Sequence, residues 1–143
     1  MNEIQKAHNA RKALFIVSDG MDNNSRYSKA ELLRIVQERD AQIHTIGLPE
    51  RRSGKKAIEM TEESRGLALL TDLAEESGGL NFTVVTPDGI QPATAKIGEA
   101  IRNQYVVGYR PANKQNPGKW RSIQVKVAVP QLRAYARKGY YSN

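Results

Sequence analysis

The chain has 143 residues, 39% of them hydrophobic, which suits one domain with an ordinary core. It contains no cysteine, so disulfides, thiolate metal sites and cysteine nucleophiles are excluded. The net charge of +7 is concentrated at one end: Arg110 to Asn143 holds eight of the 22 Lys and Arg residues and none of the 15 Asp and Glu residues.

Residues 1–10 form a polar leader in place of the apolar run of a signal peptide, and no apolar run approaches the ~18 residues of a membrane helix. Ala13 to Ser18 reads as a strand, too short for a helix and rich in branched apolar residues, with neighbours expected on both faces. It ends in an acidic turn, Ser18-Asp19-Gly20-Met21-Asp22-Asn23-Asn24. Ser28-Lys29-Ala30-Glu31 then fits a capping box, so a helix is expected to begin there, with Leu32, Leu33, Ile35, Val36 and Arg39 along one stripe. Gln42 to Leu48 reads as a second strand closed by Gly47 and Pro49. Pro49 to Arg65 mixes charges of both signs without a sustained period and reads as a mobile surface loop with one helical turn at most.

Leu67, Leu70, Leu73 and Ala74 recur at helical spacing, and Gly78-Gly79 is placed to stop that helix. Leu80 to Val85 reads as a third strand. Ile90 to Gln104 reads as another amphipathic helix, with Ala93, Ile97, Ala100 and Ile101 on its inner side. Strand and helix alternate three times, which predicts a parallel sheet with helices on both faces. The pattern then changes: Tyr105 to Tyr109, Arg121 to Val129 and Leu132 to Tyr140 read as three strands joined by turns, an antiparallel appendix. The organisation expected is thus a leader (1–10), an α/β domain (11–104) and a basic β tail (105–143).

Asp19, Asp22 and Asn23 offer oxygen donors, the type that suits magnesium, calcium or manganese, at the carboxyl end of the first strand, where ligands of open parallel sheets gather. An EF-hand does not fit, because counting from Asp19 its third and twelfth positions are Met21 and Ala30. The alternative for these residues is a turn, which Asp and Asn stabilise through their side chains. His44, inside a strand, reads as a packed or hydrogen-bonded residue, and His8 lies in the leader. No G-x-S-x-G, H-E-x-x-H or phosphate-binding glycine loop is present, so no enzymatic activity is expected. In the tail, Trp120, Arg121, Arg133 and Arg137 are the candidates for contact with a partner. The tail lacks a nucleic-acid-binding motif, so its charge reads as a solvated face; polyanion binding there would show as affinity falling steeply with salt.

The order of these features, a strand ending in Ser-Asp-Gly, a capped helix, "IHTIGL", a helix closed by Gly-Gly and a helix leading to "QYVVGYRP", resembles a von Willebrand factor A (vWA) domain. "GKWRSIQVKV" followed by "LRAYARKGYY" is similar to the bacterial VWFA-related branch, in which a basic strand tail follows the domain. The resemblance runs from about Arg11 to Tyr141. It implies half of a doubly wound, Rossmann-like parallel sheet and a non-enzymatic protein-binding or adhesion module, exported to the periplasm or outside a bacterium. In complete relatives a metal-ion-dependent adhesion site holds Mg2+ or Mn2+ with a D-x-S-x-S loop, a threonine loop and an aspartate that Asp19 matches. No D-x-S-x-S occurs here, so the sequence reads as starting midway through the fold, with an incomplete site that binds no cation tightly. The apolar strand 13–18 is then expected to have lost a neighbour. Either the tail strands cover that edge or two chains associate through it, which makes a structural or assembly fragment without metal function the second expectation.

Overall fold

The computed structural model describes residues 11–21, 25–50, 57–111 and 117–142. The leader, Asp22, Asn23 and Asn24 lie outside the described residues. The architecture is mixed α/β: a three-stranded parallel sheet, three α-helices and a separate two-stranded antiparallel sheet. Strands β1 (Ala13–Ser18), β2 (Gln42–Gly47) and β3 (Asn81–Thr83) pair in that order, with Ala13 opposite Gln42 and Thr45 opposite Asn81. Helix α1 (Lys29–Glu38) joins the first pair and α2 (Ala57–Ser77) the second. Helix α3 (Ile90–Arg102) follows β3 after a short 3-10 turn at Pro87–Gly89.

The period-two alternation of β2 divides the core. Ile43 faces α1 and α2 with Val36 and Leu73, joined by Leu14, Ile16, Leu32, Leu33 and Leu69. Ile46, on the opposite face, packs with Val84, Ala93 and Ile97 of the α3 side, joined by Leu48, Leu80 and Phe82. Helices therefore cover both faces, as the alternation of elements implies. Ile43 and Ile46 are each 1% exposed, and burying such a side chain stabilises the fold by roughly 1.5–3 kcal/mol.

Local signals act as the sequence predicts at two places. Ser28 Oγ accepts the Glu31 N–H at 3.3 Å while Glu31 Oε2 accepts the Ser28 N–H at 2.8 Å, a complete capping box. Gly78 takes φ +77° and ends α2. A Cβ there would also meet the backbone of Ala136 at 2.4 Å, so the same glycine lets the tail pass against the helix end.

Other expectations are overturned. The stretch expected as a loop contains the first turns of α2, which starts at Ala57; its residue types through Arg65 include no helix breaker. Gly66 lies inside that helix because a Cβ would stand 1.7 Å from the Gly20 carbonyl oxygen, a backbone contact that allows no side chain. Strand β1 is half-exposed instead of covered on both faces, because among the described residues it pairs on one side only and α3 lies over β2 and β3. Ile101 is exposed at the end of α3, past the part of that helix that meets the core. Strand β3 is shorter than the Leu80 to Val85 run, although Thr45 still donates to the Leu80 carbonyl and Val84 to that of Gly47.

The tail differs most. Tyr105 to Tyr109 forms no strand and is exposed. Of the two longer runs, only β4 (Trp120–Ser122) and β5 (Gly139–Tyr141) pair. A strand needs a hydrogen-bonded neighbour, and beyond the Ile123 N–H to Lys138 carbonyl bond the arms 124–137 separate, to meet again at the turn where Leu132 donates to Val129. Among the described residues, no tail strand pairs with β1. The tail docks against the ends of α1 and α2 instead: Arg137 donates to the Gln37 carbonyl at 3.0 Å and to Asp40 at 3.3 Å, and Lys138 Nζ meets Glu75 and Glu76 at 3.1 Å. Burial alone would lower the Lys138 pKa, but these two carboxylates outweigh it and hold the ammonium above its ordinary value.

Candidate functional site

The acidic turn is built by its own side chains. Ser18 Oγ accepts the Gly20 N–H at 3.1 Å, and Asp19 Oδ1 accepts the Met21 N–H at 3.0 Å. This local bonding is the usual use of Ser and Asp in turns. Gly20, at φ +83°, brings the turn against the Glu63 carbonyl and the Leu67 amide of α2, where a Cβ would sit 2.9 Å from each. Asp19 thus caps its own turn, while Ser28 caps the helix that follows. On the other side, the Glu63 carboxylate, 8% exposed, accepts the Glu50 N–H at 2.6 Å and ties the segment after β2 to the same helix.

Among the described residues, no three of His, Asp and Glu gather where they would hold a metal ion. Asp19 and Ser18 present three side-chain oxygens, and magnesium, which keeps an octahedral shell, would need further ligands from water or another chain. Asp22 and Asn23, the other two metal candidates, cannot be placed because they fall outside the described residues. At the neighbouring strand end, an open cleft of about 310 Å3 is lined by Thr83, Val84, Thr86, Pro92 and Ala93, with Lys96 as its charged residue. It brings together no acid–base pair.

His44, fully buried in β2, is held by named partners. The Leu80 N–H donates to Nδ1 at 3.1 Å, so the ring proton resides on Nε2, which faces Gln42 Oε1 at 3.2 Å. Gln104 donates to the same Gln42 oxygen and closes the network from the end of α3. Burial holds the His44 pKa below its ordinary value. The packed, hydrogen-bonded reading of this histidine is therefore the correct one.

Three of the four tail candidates meet around Gly139, whose carbonyl accepts from Arg137 and where a Cβ would touch Trp120 and the Arg121 carbonyl, whereas Arg133 is on the arm between the two strands. Trp120 stacks edge-on against Tyr141, centroids 5.0 Å apart, and Arg121 lies opposite Tyr140 in the β4–β5 pair. Arg137 is an internal clamp on α1, and also donates to the Gly139 carbonyl at 2.8 Å. Arg133 is far along the open arm, its guanidinium 5.8 Å from the Tyr135 ring centroid. No protein-family model matches the chain, and no curated protein or solved structure matches it.

Among the described residues, the outer edge of β1 has no strand paired to it. The Lys12 carbonyl accepts from Gln42 and the Ser18 carbonyl from Leu48, so the even-numbered residues of β1 direct their backbone groups to β2. By the alternation of a parallel ladder, Ala13, Phe15 and Val17 direct theirs outward. The side chains of Phe15 and Val17 are 44% and 50% exposed on the α3 face of the sheet. The sequence alone does not reveal this, because "ALFIVS" is apolar at both parities and hides which residues face out.

Proposed function

We propose that this chain is a non-enzymatic protein-binding module of the vWA-like kind, and that the outer edge of β1 is its contact surface. The observation that carries the reading is that edge: outward amides and carbonyls at Ala13, Phe15 and Val17, beside two half-exposed apolar side chains. An extended segment of another protein gains main-chain hydrogen bonds along such an edge, and alternate side chains give it specificity. The parallel sheet with helices on both faces supports the vWA-like part of the reading at the level of architecture.

The test is selection from a displayed library of extended peptides, on the wild-type chain and on Phe15→Lys. Apolar, β-branched peptides are expected to enrich on the wild type and not on the variant. Equal enrichment on both would remove the edge as the binding surface.

A second reading, an assembly fragment with no metal function, is favoured by the use of Asp19 Oδ1 within its own turn. Calorimetric titration with Mg2+ and then Mn2+, on the wild type and on Asp19→Ala, decides it. Similar, weak heats in both proteins are expected, whereas micromolar binding lost in the variant would restore a cation-dependent adhesion site.

A further inference from the structure

We infer that the partner of the β1 edge is β1 of a second copy, paired antiparallel about a two-fold axis through Phe15. The inference rests on the reading of this edge as the protein-binding surface, and adds occupant, direction and register. Two facts select them. The first is the parity of the backbone: Ala13, Phe15 and Val17 point their amides and carbonyls outward, so in an antiparallel pair they must oppose residues of the same parity on the other strand. Placing Phe15 opposite Phe15 of the second copy sets Ala13 opposite Val17 twice, and about six backbone hydrogen bonds form across the axis.

The second fact is charge. Continuing that register outward by one step of the same parity sets Arg11 opposite Asp19, again twice. Both residues are exposed and flank the strand at its two ends. A parallel pair through the same edge would need an odd offset, because the outward residues of both copies cannot stand at one level, and it would gather the two Arg11 side chains at one end and the two Asp19 side chains at the other. The sequence "RKALFIVSD", basic at the start and acidic at the end, is thus complementary to itself in one direction only. Its product is a continuous six-stranded sheet in which the four half-exposed side chains, Phe15 and Val17 of each copy, share one face.

This two-fold arrangement also gives Asp19 a role suited to its position: a cross-chain ion pair at the rim of an apolar contact. Rim charges contribute little each, but they set direction and disfavour the wrong register.

The experiment uses the full chain. Sedimentation equilibrium is expected to show a dimer, weakened by about tenfold in Arg11→Asp and in Asp19→Arg, because each reversal acts at two symmetry-related sites. The double reversal restores the wild-type constant. Because the chain has no cysteine, single introduced cysteines report the register: with oxidised glutathione as oxidant, Phe15→Cys is expected to form an intermolecular disulfide and Val17→Cys not to, since only residue 15 meets its own copy. A monomeric wild type, a double reversal no better than the single ones, or a disulfide through residue 17 in preference to residue 15 would each overturn the self-pairing. A monomer that still enriches edge-specific peptides would separate that failure from failure of the binding reading.

Discussion

His44 makes the fold sensitive to acid in a way that can be isolated. In the folded chain its Nδ1 receives the Leu80 N–H, so a proton added there would face a donor, and burial already disfavours the charged ring. Its folded pKa therefore lies below the ordinary histidine value of about 6.5 that the unfolded chain adopts. Between the two values the unfolded chain binds more protons, so stability is fully present above about pH 6.5 and falls as pH drops below it, until the folded-state pKa is passed. One proton limits the slope to about 1.4 kcal/mol per pH unit, so between about pH 7.5 and 5.5 the loss is at most about 1.4 kcal/mol. The comparison is with His44→Asn, whose amide oxygen can take the Leu80 N–H but cannot titrate. Urea unfolding of both proteins across that range, by linear extrapolation, gives a difference in which the contributions of the carboxylates and of His8 cancel. The wild type should lose stability relative to the variant on acidification. A flat difference, or a wild type that gains relative stability, would refute the account of the His44 network.

Gly66→Ala should destabilise the fold by about 1–3 kcal/mol, since the new Cβ meets backbone at Gly20; its urea midpoint, set against that of the wild type, measures this. Arg137→Ala removes the clamp on Gln37 and Asp40, at a cost of about 1–3 kcal/mol, and should shift Trp120 emission to the red while far-UV circular dichroism of the α/β part is unchanged. Ser28→Ala should cost about 1 kcal/mol of stability. The hydroxyl and amide of Ser28 hold the Glu31 carboxyl below its usual range, so the carboxylate's own share of the capping box is present above the ordinary carboxylate pKa and is lost as pH falls through the lowered one. Carbon-detected NMR titration of Glu31 should find its pKa raised in the variant.

Much of the α/β part is legible in the sequence because short-range chemistry decides it. The S-x-x-E box, the Gly78-Gly79 stop and the apolar run of β1 each specify local structure without help from distant residues, and the edges of β1 and the start of α1 fall where the sequence puts them. The signals that fail are those decided across the chain. Gly66 reads as a boundary in one dimension, yet its reason for being glycine is a carbonyl 46 positions earlier. The alternating valines of 123–129 have the period of a strand, but a period does not supply a partner, and the arm facing them stands apart in the folded chain. Arg137 looks like one more solvated charge until Gln37 and Asp40 are placed beside it.

The stretch "LFIVSDG" shows how a single parity separates packing from recognition. Its even-numbered members, Leu14, Ile16 and Ser18, turn side chains to the α1 and α2 face and backbone groups to β2, and so are committed to the fold. Its odd-numbered members, Phe15 and Val17, turn side chains to the less covered face and backbone groups to solvent. Neighbouring β2 has no such division: Ile43 through Gly47 are all buried, because strands flank it on both sides. The more apolar of the two strands is thus the less buried, and the difference lies in their place in the sheet. Asp19 is the next odd-numbered residue after Val17 and is exposed in the turn that follows the strand. In the proposed self-pairing, an acidic residue there, eight positions after a basic one of the same parity, makes direction part of what the edge recognises.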